Sequence, residues 1–168
     1  MQVLPKRFGK YGLTLHPEKT RLVDFRRPSG NSGAGAGECF DMLGFTHHWG
    51  KSRKGKWVVT RKTAKNRLSR AVKRIGRWCQ EHRHQKVPDQ QTELNRKLRG
   101  HYSYYGVTGN FRSLALFRRA VERLWRKWLS RRSRQAHLNW EAFCRLLHHY
   151  PLAPPRIVHS VSAIAAKP

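Results

Sequence analysis

The sequence predicts a mainly α protein, a small helical bundle preceded by a short β-hairpin, and three observations carry that prediction. From residue 63 onward apolar side chains recur at steps of three and four through four successive runs. Before that point two apolar runs flank a glycine-bounded loop, as in a hairpin. Six Trp, five Tyr and seven Phe, within 38% hydrophobic residues, supply enough apolar mass for a core despite a formal charge of +27.

Each element follows in order. Residues 5–12 read as the end of a helix with Gly12 as its stop. Leu13-Thr14-Leu15 and Leu22-Val23-Asp24-Phe25 read as two short extended pieces around H-P-E-K-T, and such pieces need a sheet that this chain cannot supply on its own. S-G-N-S-G-A-G-A-G at 29–37 is a flexible linker without side chains to pack. Residues 38–62 hold the hairpin, with extended runs at 40–49 and 57–60 and the loop G-K-S-R-K-G at 50–55. Its tip presents Lys51, Arg53, Lys54 and Lys56.

The helical part spans 63–159. Ala64, Leu68, Ala71, Val72, Ile75 and Cys79 share one stripe of the first helix, with Arg70, Lys73, Arg74 and Arg77 on the other side. Pro88 suits the first turn of the second, where Leu94, Leu98, His101, Tyr102 and Tyr105 share a stripe and Tyr104 points away from it. The third is the clearest: Leu114, Phe117, Val121, Leu124 and Trp128 form its stripe with Trp125 at the margin, opposite Arg112, Arg119, Arg123 and Arg126. Asn139 is a good N-cap for the fourth, which carries Trp140, Phe143, Leu147 and Tyr150 and ends at Pro151. The Pro- and Ala-rich remainder is expected to be irregular, with 160–168 a tail.

Charge points to the partner. Thirty-six Lys and Arg face nine acids, and a chain this basic repels itself without a polyanion nearby. The basic residues run from Lys6 to Arg156, as a protein lying along a phosphate lattice requires. No apolar run approaches the ~18 residues of a spanning helix, so no membrane role is expected. An ordinary surface helix intersperses Glu with Lys, and here almost no acids balance the basic faces. Arg61, Lys62 and Arg99 join the candidate nucleic-acid contacts, and Tyr104 is the one ring singled out for stacking on RNA. Tyr102, Tyr105, Trp125 and Trp128 are read as structural.

Catalytic and metal chemistry find little support. The acids are scattered, with no carboxylate pair to hold Mg²⁺, and no Ser or Cys stands in a nucleophile turn. Cys39, Cys79 and Cys144 share no short spacing, and Cys79 with His82 and His84 lacks a second ligand pair, so neither disulfides nor a resident metal is expected. The opening M-Q-V-L-P-K-R-F-G-K has no apolar signal region, which leads us to expect a cytoplasmic protein.

Three stretches carry a family resemblance. Gly12-Leu13-Thr14-Leu15-His16-Pro17-Glu18-Lys19-Thr20 looks like the reverse-transcriptase motif just after the catalytic strand, and Phe40-Asp41-Met42-Leu43-Gly44-Phe45-Thr46 looks like the primer-grip segment. L-R-G-H-Y-S-Y-Y-G-V-T-G-N at 98–110 with its following helix, together with 140–157, is similar to the maturase-specific segment. Over residues 3–159 the chain thus resembles the C-terminal portion of bacterial group II intron-encoded reverse transcriptase–maturases. The resemblance implies remnant palm strands in 1–28, a thumb and maturase-type bundle in 63–159, and a grip on structured RNA, above all group II intron RNA, or on an RNA–DNA duplex.

It also implies a departure. Family polymerases place a Tyr-Ala-Asp-Asp strand upstream of the G-L-x-L-H-P-E-K-T segment, and this sequence starts at about the helix following that strand. The expectation is an RNA-binding, splicing-assisting chain without a polymerase centre of its own. Lys19 matches a family lysine near the nucleotide phosphates, a role that is moot without the carboxylates. Mg²⁺ would enter only with a catalytic half supplied by an upstream reverse-transcriptase fragment. A split polymerase of that kind and a gene remnant without function are the competing readings.

Overall fold

The computed structural model describes residues 3–16, 18, 20–28, 38–52, 54–133 and 137–160. The 29–37 linker and most of the tail lie outside the described residues. In chain order the elements are α1 (Val3–Gly9), β1 (Phe40–Met42), β2 (Phe45–Lys51), β3 (Trp57–Thr63), α2 (Lys65–Glu81), α3 (Val87–Tyr105), α4 (Phe111–Leu129) and α5 (Trp140–His149). The fold is mainly α, with a small antiparallel sheet ordered β1-β2-β3 ahead of the long helices. The chain divides into two compact units, Met1–Phe40 with His48–Val59 and Asp41–His47 with Thr60–Pro168.

In the smaller unit α1 buries none of its residues, and Gly12 takes the left-handed φ of +66° that a glycine stop allows. The expected extended pieces at 13–15 and 22–25 form no strand among the described residues. Their backbone finds too little to pair with: in the second piece Asp24 O accepts from Glu38 N at 3.0 Å, and side chains do the rest. Phe25 lies edge-on to Phe40 (4.9 Å between ring centroids) and stacked on Trp49 (5.4 Å), whose indole N–H donates to Phe25 O at 3.4 Å.

The run at 40–49, expected as one extended piece, is two strands. Leu43 (φ +50°) and Gly44 (φ +80°) turn the chain between β1 and β2, the pair of positive φ values that a tight hairpin turn demands. Thr46 Oγ1 donates to Asp41 Oδ1 across this turn at 2.5 Å. A Cβ on Gly44 would stand 3.0 Å from Tyr105 Oη, so space as well as φ favours glycine.

The core of the larger unit is built on α4. Leu114, Phe117, Val121, Trp125 and Leu129 are buried at three- and four-residue steps, and α2 and α3 both pack on that face. Ala71, Ile75 and Cys79 come from α2, Leu94, Leu98 and Tyr102 from α3, and Phe143 from α5. Each of the larger aliphatic side chains and Phe among these, fully buried, contributes ~1.5–3 kcal/mol. Gly76 faces Leu124 of α4, and a Cβ there would meet a Leu124 methyl at an ordinary contact distance of 3.5 Å. Asn139 caps α5 as expected, its side chain accepting from Ala142 N at 2.8 Å.

The two tryptophans of α4 exchange their expected roles. Trp125 is 0% exposed and edge-on to Phe143, while Trp128 is half-buried with Lys127 and Arg131 at 5.5 Å from its ring. Polar partners explain the exchange. The Trp125 indole N–H donates to Gln90 Oε1 at 2.9 Å, and the Gln90 amide donates to His82 O, Arg83 O and Gln85 O, the carbonyls of the α2–α3 turn.

Two more buried amides fasten distant chain. Asn110 Oδ1 accepts from Thr63 N, while its Nδ2 donates to Thr63 Oγ1 and Tyr105 O, which ties the end of β3 to the α3–α4 junction. Asn95 accepts from Ala153 N and donates to Pro151 O, and Tyr102 Oη donates to Ala153 O. Residues 151–158 are irregular, as expected, yet they are held by these bonds and by buried Leu152. Gly106 O accepts from both Val158 N and His159 N, and a Cβ at Gly106 would collide with Tyr102 O and Arg156 O.

Candidate nucleic-acid interface

Helix α2 gathers the charge. Arg67, Arg70, Arg74 and Arg77, spaced by three and four residues, and Lys73 beside Arg74 line a cleft of about 380 Å³ with His101 and Tyr105 of α3. All five cations are exposed, and no carboxylate lines the cleft. Ion pairs among the described residues link Arg26 to Asp24, Arg96 to Glu93 and Arg118 to Glu122, and none engages the five. The first turn of α2 holds no acid and its N-cap, Ala64, offers no side-chain cap. Lys65 and Arg67 therefore sit at the positive end of the helix dipole, an arrangement that destabilises the free helix and favours an anion beside it.

The sequence-predicted residues fall into groups. Arg70, Lys73, Arg74 and Arg77 come together in the cleft, and Arg67, which sequence reasoning missed, joins them one step before Arg70. Arg112, Arg119 and Arg123 lie on one face of α4, spaced by seven and four residues. Arg126 continues that face, but its guanidinium lies 5.3 Å from the Trp140 ring centroid, so it also covers a ring that is 51% exposed. Arg99 is exposed on α3, and Arg61 and Lys62 alternate along β3. Lys51, Lys54 and Lys56 belong to the smaller unit, with Lys51 Nζ 5.3 Å over the Trp57 ring. Lys19 and Arg53 lie outside the described residues.

Tyr104 is 55% exposed, but its ring stacks on Phe45 at 5.9 Å and its hydroxyl donates to Leu43 O at 2.9 Å. One face is thus already taken, and the phenol anchors the β1–β2 turn. His101, which the sequence placed on the apolar stripe, stacks on Phe117 at 3.9 Å and lies 4.6 Å from Tyr105. Burial, helped by Arg74, lowers its pKa to about 4, so at neutral pH it is an uncharged ring at the cleft floor.

Among the described residues no three His, Cys, Asp or Glu side chains come together as a group that could hold a metal ion. The Cys79 thiol, considered with His82 and His84, is buried and its pKa is pushed up to about 12 by desolvation. His82 stacks on Trp78 at 4.7 Å and its Nδ1 is 2.9 Å from Trp78 O. No helix among the described residues is long and apolar enough to cross a membrane.

Comparison with known proteins adds one match. Residues 68–144, from α2 into α5, match the family described as group II intron, maturase-specific domain. No curated protein and no solved structure matches the chain. The matched span contains four of the five cleft cations of α2 (Arg70, Lys73, Arg74 and Arg77, but not Arg67), the basic face of α4 and most of the core that positions them. This similarity over residues 68–144 supports a C-terminal, maturase-type part of a group II intron protein.

Proposed function

We propose that this chain grips structured RNA, group II intron RNA in the first place, through the α2 cleft and the arginine face of α4, and assists splicing without carrying out polymerisation itself. The observation that carries the reading is the row of five α2 cations without a carboxylate among them, in a domain of the maturase-specific type. Crowding like charge at a helix start costs folding free energy, and RNA phosphates offset that cost on binding. The α4 arginines extend the same chemistry along a second helix.

Filter binding of the full chain to a group II intron RNA tests this. With ~6–10 phosphate contacts, affinity should fall about 10³- to 10⁵-fold between roughly 50 and 200 mM salt. Replacing Arg70, Arg74 and Arg77 together by Gln should lower the salt slope by about 3 and leave the circular dichroism of the fold unchanged. Intron self-splicing measured with and without the chain reads the second half of the proposal. A flat salt response, or splicing that ignores the chain, would overturn it.

A further inference from the structure

The α2 cleft has a second half that charge alone does not explain. Because α2 and α3 both lean on α4, they leave a gap between them whose floor is Phe117. Along it the cationic wall of Arg70, Arg74 and their neighbours gives way to rings, with Trp78 on the α2 side, His101, Tyr104 and Tyr105 on the α3 side, and Gly100 opening space between them. The two halves share Ala71, Arg74, His101 and Tyr105 and are about 380 Å³ each, within the ~300–1,000 Å³ typical of small-ligand sites. Duplex RNA keeps its bases inside the stack and offers only its backbone to a basic wall. Phosphate contacts alone would leave the ring-lined half of the cleft, which Lys97 also borders, unfilled.

One ligand uses both halves. We propose that the cleft receives a single unpaired nucleotide extruded from the bound RNA, its base among Tyr105, His101 and Trp78 over the Phe117 floor and its phosphate against Arg70 and Arg74. The proposal rests on the RNA-binding reading above and names what part of the RNA is held. His101 Nε2 is buried without a hydrogen-bond partner among the described residues, and a base edge would supply one. Gly100 is exposed, and a Cβ at this position would meet nothing within 4 Å, so the entry stays clear.

The test compares two RNA probes, a fully paired RNA duplex and the same duplex with one bulged 2-aminopurine nucleotide. The full chain should bind the bulged probe at least about fivefold more tightly, the lower end of one base–aromatic stack, and should quench its fluorescence. Gly100→Leu fills the ring half while adding helix propensity and removing no cation, so it should abolish that preference and the quenching but leave duplex affinity unchanged. Equal binding of both probes by the natural chain, or a preference that survives Gly100→Leu, overturns the nucleotide site and leaves the RNA grip standing. Failure to bind either probe overturns the RNA grip and the site with it.

Discussion

Gln90→Met is the sharpest probe of how the helical unit is held together. Methionine nearly conserves the volume of glutamine, so the change removes hydrogen bonds and little else. Gln90 is 1% exposed and Trp125 is 0% exposed, so the indole N–H loses its 2.9 Å partner with no route to solvent, at a cost of about 1–3 kcal/mol. The carbonyls of His82, Arg83 and Gln85 are only partly buried and can turn to water, so their three bonds add about 1–2 kcal/mol in total. A loss of about 2–5 kcal/mol is therefore expected in urea unfolding followed by circular dichroism. The cycle with Trp125→Phe isolates the buried bond: once the indole N–H is gone, Gln90→Met should cost about 1–2 kcal/mol less. A total loss below about 1 kcal/mol, or additivity within about 0.5 kcal/mol, would refute the keystone role of this amide.

Other outcomes follow from single positions. Gly76→Ala should stabilise the chain by about 0.5–1 kcal/mol, since its Cβ meets the Leu124 methyls at ordinary contact distance while helix propensity improves; a lower melting temperature would show the helices closer than they are. His101 binds its proton in the unfolded chain near pH 6.5 but in the folded one only near pH 4, so stability rises with pH across that window. Acidification from pH 7 to 4 should cost roughly 2–3 kcal/mol from this group, with Arg74 opposing protonation, and His101→Phe should flatten that part of the profile. Thiol titration should count Cys39 and Cys144 in the native chain and Cys79 only after unfolding; rapid labelling of all three would contradict the burial of Cys79.

The helices were legible because their apolar spacing reports one face of a 3.6-residue period, and the α2 and α4 stripes lie where that spacing puts them. Trp125 and Trp128 were misplaced because their rank depends on Gln90, 35 residues earlier in the chain, and periodicity carries no information about a distant amide. Asn95 and Asn110 escaped notice for the same reason: polar residues inside apolar patterns read as surface until their partners are known. The Leu43–Gly44 turn was hidden in a run whose composition is uniformly strand-like. For the interface, the charge on α2 was visible in the sequence, whereas the cleft was not, since it exists only because α2 and α3 lean on the same side of α4. Arg67 was overlooked although it continues the three-residue step to Arg70.

The clasp at Gly106 bears on the order in which the protein can be made. Leu152, Ala153, Val158 and His159 close onto α3 and its C-cap from some 50 positions further along the chain. A polypeptide leaving the ribosome from its N-terminus exposes the α2, α3 and α4 stripes well before those residues emerge. Throughout that interval the most basic helices of the chain are available to RNA while their core is still open. Nascent chains that meet RNA at this stage would complete their fold around it.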